Sequence, residues 1–337
     1  MTRRTRLLLA GAAGVALGLR RALSMSFFQN KVVVITGGSR GLGLLLAREA
    51  ARHGARLAIC ARDSAEVERA VAELSAKNVQ VLGAECDVSD DAQARAFIHA
   101  TLARFGRIDV LINAAGIIQI GPLDSMGVAD FREAMETNFF GLLQTSLAVL
   151  PHMRARHAGR IVNICSIGGA LAVPHLAPHS ASKFAAVGFS QGLASESARH
   201  GIAVTTVLPG VMRTGSHVNA LVKGQREKEG AWFSLAASLP GTSSSAARAA
   251  RKILRACALK TRVVYVGPGM KLAHVAQTVA PGAVSRLIGL ASRLLPESGG
   301  AGPEDAAEPV WQHRALHSHG VLGDRAARLN NEIPWAR

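Results

Sequence analysis

The stretch that decides the fold is Lys31–Thr36, KVVVIT, followed at once by Gly37-Gly38-Ser39-Arg40-Gly41-Leu42-Gly43. A continuous run of β-branched apolar residues reads as a strand buried on both faces, as in a parallel sheet covered by helices. The glycines after it allow a tight turn and let the backbone approach a phosphate group, which then sits at the positive end of the next helix.

Working outward, strands are predicted at 31–36, 56–61, 79–84, 108–112, 160–165, 202–207 and 262–266. Helices are predicted at 41–53, 64–76, 89–105, 128–157, 180–200 and 244–258. This alternation predicts an α/β doubly wound parallel sheet of about seven strands, in the order 3-2-1-4-5-6-7. Three regions follow: an apolar, basic N-terminal segment (1–25), a sheet domain (30–270) and a C-terminal helical extension and tail (270–337). Residues 211–243 break the rhythm, as a lid over a site would. Met270–Leu295 is apolar at helical spacing with Pro281-Gly282 in its middle, and the tail from Pro296 is expected to be loosely ordered.

The 337 residues are 49% hydrophobic, enough for a sizeable core. The formal charge of +16 raises the question of nucleic acid, but the arginines are scattered and only 4% of residues are aromatic, so a nucleic-acid partner is not expected. Cys60, Cys86, Cys165 and Cys257 are too widely spaced for a metal site or a disulfide framework, which fits a reducing, cytoplasmic setting. Leu7–Leu19 is apolar but shorter than the roughly 20 residues that span a bilayer as a helix. Two readings of residues 1–24 stand: a weak membrane anchor giving peripheral membrane association, or a chain that starts at Met25.

The spacing TGxxxGxG at Thr36–Gly43 resembles the short-chain dehydrogenase/reductase superfamily, a Rossmann-type fold, and further motifs occur in that family's order. Asp87-Val88 stands where the family contacts adenine. Asn113-Ala114-Ala115-Gly116 resembles its NNAG motif. Asn138, Ser166 and Lys183 stand at its catalytic positions, and Pro209-Gly210 with Thr214 resembles the motif that holds the nicotinamide carboxamide. The resemblance implies a dinucleotide held by Thr36, Gly37, Ser39, Arg40, Gly41, Leu42, Gly43, Asp87, Val88, Asn113, Ala114, Gly116, Lys183, Pro209, Gly210 and Thr214. At Ala61, where the family's NAD users carry a carboxylate, this chain has none. Arg40 and Arg62 are placed to clamp a 2′-phosphate, so NADP(H) is expected over NAD(H). Asp63 is expected to face the start of the following helix.

The family's acid/base tyrosine, four residues before the lysine, is His179 here, and Tyr265 is the chain's one tyrosine. Two readings compete. In one, His179 carries the proton, on the same helix face as Lys183, in an NADP(H)-dependent oxidoreductase passing hydride between cofactor and a carbonyl or alcohol. In the other, the shorter side chain and the depressing charge of Lys183 leave a catalytically impaired NADP(H)-binding module. His175 is expected to be a loop residue. Ile117, Ile118, Ile120, Leu171 and Val173, with the apolar clusters of segment 216–239, suggest an apolar substrate. The resemblance also implies a dimer or tetramer built on helices 128–157 and 180–200.

Overall fold

The computed structural model describes residues 25–238, 243–310 and 321–332, so residues 1–24 of the N-terminal segment lie outside it. Seven strands form one sheet: β1 (Val32–Thr36), β2 (Arg56–Ala61), β3 (Val81–Glu85), β4 (Val110–Asn113), β5 (Gly159–Ile164), β6 (Ile202–Pro209) and β7 (Val263–Val266). Their order is β3-β2-β1-β4-β5-β6-β7 and every neighbouring pair is parallel, as predicted.

Successive residues of β1 serve opposite faces, as a period of two requires. Val33 and Ile35 pack with Leu57, Ile59, Leu44 and Leu46 on one side, whereas Val32 and Val34 pack with Ala58, Leu111 and Ile161 on the other. Helices α1 (Gly41–Arg52) and α2 (Ser64–Ser75) cover the first face, and α3 (Asp91–Phe105) covers the second. Local chemistry sets the helix starts. Asp63 accepts from the Glu66 N–H at 2.9 Å, and Asp90 accepts from Ala92 and Gln93 at 2.8 and 3.2 Å.

The helix predicted over 128–157 is three pieces: α4 (Val128–Met135), a π turn at Glu136–Phe140, and α5 (Gly141–Ala155). A π turn adds one residue without ending the helix, so apolar periodicity passes over it unmarked. Next come α6 (Ala177–Ser197), α7 (Arg226–Ser238) and α8 (Ala246–Ala258).

Segment 211–243, expected as a lid, is a fastened cap over its described residues. Leu221–Val222 pairs with Gln119–Ile120 on one side and with Glu308–Pro309 on the other. Ile120, Val222, Phe233 and Val310 close a small apolar core beneath α7. Lys223 Nζ donates to Asp130 Oδ2 and to the Pro303 carbonyl, both at 2.9 Å, with both charged side chains buried.

The apolar stretch at 270–295 is two helices, α9 (Met270–Val279) and α10 (Pro281–Ser292), with Pro281 opening the second. Neither buries a residue fully; Leu272, Val279, Leu287 and Leu290 are exposed. Among the described residues, no helix is long and apolar enough to cross a membrane. Of the tail expected to be loosely ordered, residues 311–320 and 333–337 lie outside the described residues; among those described, Asn330, Asn331 and Glu332, after α11 (Val321–Leu329), bond to the body of the protein. Composition suggested looseness because it carries no record of distant partners.

A buried charge left without its partner is costly, so Asp130→Ala should lose about 3–5 kcal/mol of stability in urea unfolding. Replacing Asp130 and Lys223 together by leucine and methionine should recover most of that loss.

Candidate functional site

Parallel strands place their carboxyl ends side by side, and the candidate residues cluster along that edge. Gly37 has φ +64°, and a Cβ on it would lie 2.8 Å from the Ala115 backbone. A Cβ on Gly43 would lie 1.9 Å from the Gly37 carbonyl oxygen, so α1 can join β1 this closely only with glycine there. Thr36 Oγ1 accepts from the Ala114 and Ala115 N–H groups at 3.2 and 3.3 Å, tying the ends of β1 and β4 together.

Asp87 follows β3 and turns its carboxylate on Ser89, accepting from N–H and hydroxyl at 2.9 and 2.7 Å. Val88 is buried against Gly141. The side chain of Asn113 is spent in the core: its Nδ2 donates to Ser146 and Asn163, and its Oδ1 accepts from Thr145. From that motif Ala114 packs against the core, and Gly116 is left exposed, where a Cβ would meet Asn138 Oδ1 at 2.7 Å and Lys183 Nζ at 3.4 Å. Pro209 ends β6, Gly210 N–H donates to Val266, and Thr214 is buried with its hydroxyl on Ser216.

Ser166, His179, Lys183 and Asn138 converge. Asn138, in the π turn, accepts from the Ile117 N–H at 2.9 Å, and its Nδ2 donates to the Ile117 carbonyl and to Ser182. His179 Nδ1 lies 3.1 Å from that same carbonyl. A carbonyl only accepts, so Nδ1 carries the hydrogen and Nε2 holds the lone pair in the neutral ring. A methyl group on Gly168 would lie 3.2 Å from Ser166 Oγ and 3.6 Å from His179 Cδ2, so both side chains border one small space. Ser166 Oγ accepts from Gly168 N–H, and Lys183 Nζ donates to the Ile164 carbonyl at 3.2 Å.

Burial, then the ammonium of Lys183, holds the His179 pKa down at about 4, against a small opposing effect of the Ile117 carbonyl. Burial also lowers the Lys183 pKa. Next to it, burial pushes the Cys165 thiol up to about 12, so it is no nucleophile.

The far end of the site is crowded with charge. Arg40 Nη1 lies 3.5 Å from Glu66 and 3.7 Å from Glu332, both buried carboxyls, and Ser39 Oγ donates to Glu66 at 2.9 Å. Arg62 is exposed, and Ala61 ends β2 as expected. The glycine cradle fits a dinucleotide's phosphates in shape and in its backbone donors. One occupant is already on it: Asn330 accepts from the Gly41 N–H at 2.9 Å, and a Cβ on Gly41 would collide with Glu332 Oε1.

Several of these groups escaped the sequence reading. The Ile117 carbonyl is a backbone group with no sequence signal. Glu66 carried one, standing three residues after the capping Asp63. His175 lies in a loop as expected, but its Nδ1 pairs at 2.7 Å with buried Glu229, which also accepts from Trp232.

Residues 31–223 match the family model described as short chain dehydrogenase. The chain is 34% identical to dehydrogenase/reductase SDR family member 7B of Danio rerio over 302 residues, covering 87% of this chain and 96% of that protein. It is 39% identical to the granaticin polyketide synthase putative ketoacyl reductase 1 of Streptomyces violaceoruber, over 54% of this chain and 68% of that one. Among solved structures, a gluconate 5-dehydrogenase from Burkholderia cenocepacia, in complex with NADP and tartrate, superimposes with a TM-score of 0.63 at 30% identity. That match covers 74% of this chain and 98% of the other. By the family match over residues 31–223, and with its seven-stranded parallel sheet, the chain belongs to the short-chain dehydrogenases.

Proposed function

We propose that this protein is an NADP(H)-dependent oxidoreductase that passes hydride between the nicotinamide and the carbinol or carbonyl carbon of an apolar substrate, with His179 as the proton carrier. The observation that carries this reading is that Ser166 and His179 both border Gly168 while Asn138 and Lys183 both border Gly116, with Asn138 and His179 joined through the Ile117 carbonyl. The dinucleotide would be held by the Thr36–Gly43 turn at its phosphates, by Asp87 and Val88 at its adenine, and by Asn113 through its backbone with Ala114, Gly116 and Lys183 along the ribose. Pro209, Gly210 and Thr214 would hold the nicotinamide, and Arg40 with Arg62 the 2′-phosphate. When bound, it supplies the hydride acceptor or donor.

The chain's own residues do the rest. Ser166 accepts from Gly168 N–H, which leaves its hydroxyl hydrogen for the substrate oxygen. The Ile117 carbonyl holds His179 as the Nδ1–H tautomer, which reserves Nε2 for the substrate's proton. A ring with a pKa of about 4 is neutral near pH 7, so His179 stands there as the free base, a weak one, and its protonated form is scarce. In alcohol oxidation, which starts from that populated form, the hydroxyl proton goes to Nε2 as the hydride leaves carbon for the nicotinamide. The half-buried Ile117, Leu171 and Val173, on the loops that carry the cluster, support an apolar substrate. Exposed Leu147 on α5 and Phe184 on α6 support a homo-oligomer contact.

A second reading, an NADP(H)-binding module without turnover, draws support from the burial of His179, only 8% exposed and shorter than a tyrosine. Side-by-side assay of the protein and His179→Tyr on a panel of alcohols and ketones separates the two. The oxidoreductase reading expects wild-type turnover. Dinucleotide binding with turnover in the Tyr variant alone would establish the module.

For wild type, kcat/KM for oxidation should stay flat from pH 6 to 8, well above the depressed pKa, while reduction should fall about tenfold per pH unit. His179→Ala should lower oxidation about 10²–10⁴-fold. Arg62→Ala should weaken NADPH binding about tenfold and leave NADH binding unchanged, in fluorescence titrations.

A further inference from the structure

We propose that Asn330–Glu332 is an internal occupant of the phosphate cradle, and that a dinucleotide binds only as this segment leaves. The inference rests on reading the Thr36–Gly43 turn as a dinucleotide site.

Three sets of contacts carry it. The first is backbone. The Gly41 N–H, the first donor of α1, is the kind of group a helix N-terminus offers to phosphate, and here it bonds to the Asn330 carbonyl at 2.9 Å. The second is charge. Glu332, 2% exposed, sits against Gly41 with its carboxyl 3.7 Å from Arg40 and accepting from Asn219 Nδ2 at 2.7 Å. A carboxyl group thus lies where the cradle would take an anion. The third is span. Asn331 Nδ2 donates to the Ser39 and Glu66 carbonyls at 3.0 and 3.1 Å, and Asn330 Nδ2 donates to the Thr214 carbonyl at 2.8 Å. The segment therefore bridges from the glycine turn to Thr214, the span assigned to the dinucleotide. Arg48 and Arg69 fasten it from outside, on the Leu329 carbonyl, Asn330 and Asn331. Ala327 locks it in, so close to Gly215 that a Cβ there would lie 2.3 Å from the Ala327 Cα.

The contact is also sensitive to acid. Facing Glu332 are Arg40 from the turn, Glu66 from α2 and Asn219 from the cap; Asp63 and Arg69 act in turn on Glu66. Burial, with Glu66 adding repulsion, raises the Glu332 carboxyl to about 7 against the attraction of Arg40 and the Asn219 bond. A carboxyl whose pKa is higher when docked takes up a proton on docking. Docking is then favoured at low pH and weakens as pH rises from about 4.5 to about 7.

Ala327→Arg would eject the segment without touching the cradle, and Glu332→Gln would remove its charge and its titration. A competitor docked nine-tenths of the time weakens apparent affinity about tenfold. NADPH titrated by fluorescence should accordingly bind Ala327→Arg about tenfold more tightly than wild type. Wild-type affinity should rise from pH 5 to 7 more steeply than that of Glu332→Gln. Hydrogen exchange should show residues 325–332 protected in the free protein and released by saturating NADPH. Equal affinity in wild type and Ala327→Arg, with residues 325–332 still protected under NADPH, would overturn the competition and leave the dinucleotide site standing. No binding of NADPH or NADH to either protein would overturn the dinucleotide site, and the competition with it.

Discussion

Gly43 approaches the carbonyl of Gly37 so closely that even a methyl group would overlap the oxygen, at 1.9 Å. That contact welds the start of α1 to the end of β1 and aims the first N–H groups of the helix over the edge of the sheet. Because every strand runs the same way, the ends of β2, β4, β5 and β6 arrive at that same edge, with Ala61, Asn113, Ser166 and Pro209 at or just past them. Thr36 fastens the β4 loop to the turn, and the loop in turn offers the Ile117 carbonyl on which Asn138 and His179 both depend.

Ile117 matters because it decides what kind of group His179 is. In the family's usual arrangement a lysine draws a phenol's pKa down from about 10 towards neutrality, where it can exchange protons in both directions. Burial first, and then the same lysine, hold an imidazole, ordinarily near 6.5, down at about 4. What remains is a neutral ring with Nδ1 turned to the Ile117 carbonyl and a lone pair of low basicity on Nε2.

The strands, the glycine turn and the cap at Asp63 were legible because each is a local requirement: a short continuous apolar run, a tight turn, an acceptor at a helix start. The strand order followed from the alternation of strand and helix. The four candidate site residues were picked out by a resemblance in spacing, and the fold brings them to the same end of the sheet. Other features depend on pairings that no local pattern encodes. Asp130 and Lys223 stand 93 residues apart and tie the cap to α4 where the sequence suggested a lid. Asn113 looked like a cofactor contact by its motif, yet its side chain is consumed by Thr145, Ser146 and Asn163. The π turn hid inside an apolar repeat, and Asn330–Glu332 lay in a tail whose composition suggested disorder.

The tail's position along the chain has a consequence for biosynthesis. Gly41 is made about 290 residues before the segment that covers it, roughly 15–60 s at usual translation rates. Thr214, on the other side of the cleft, still precedes Asn330 by 116 positions. Both residues that the segment contacts across the site are therefore synthesised while the segment is still unmade. If the tail competes as proposed, the nascent chain meets the dinucleotide pool during that interval without its rival.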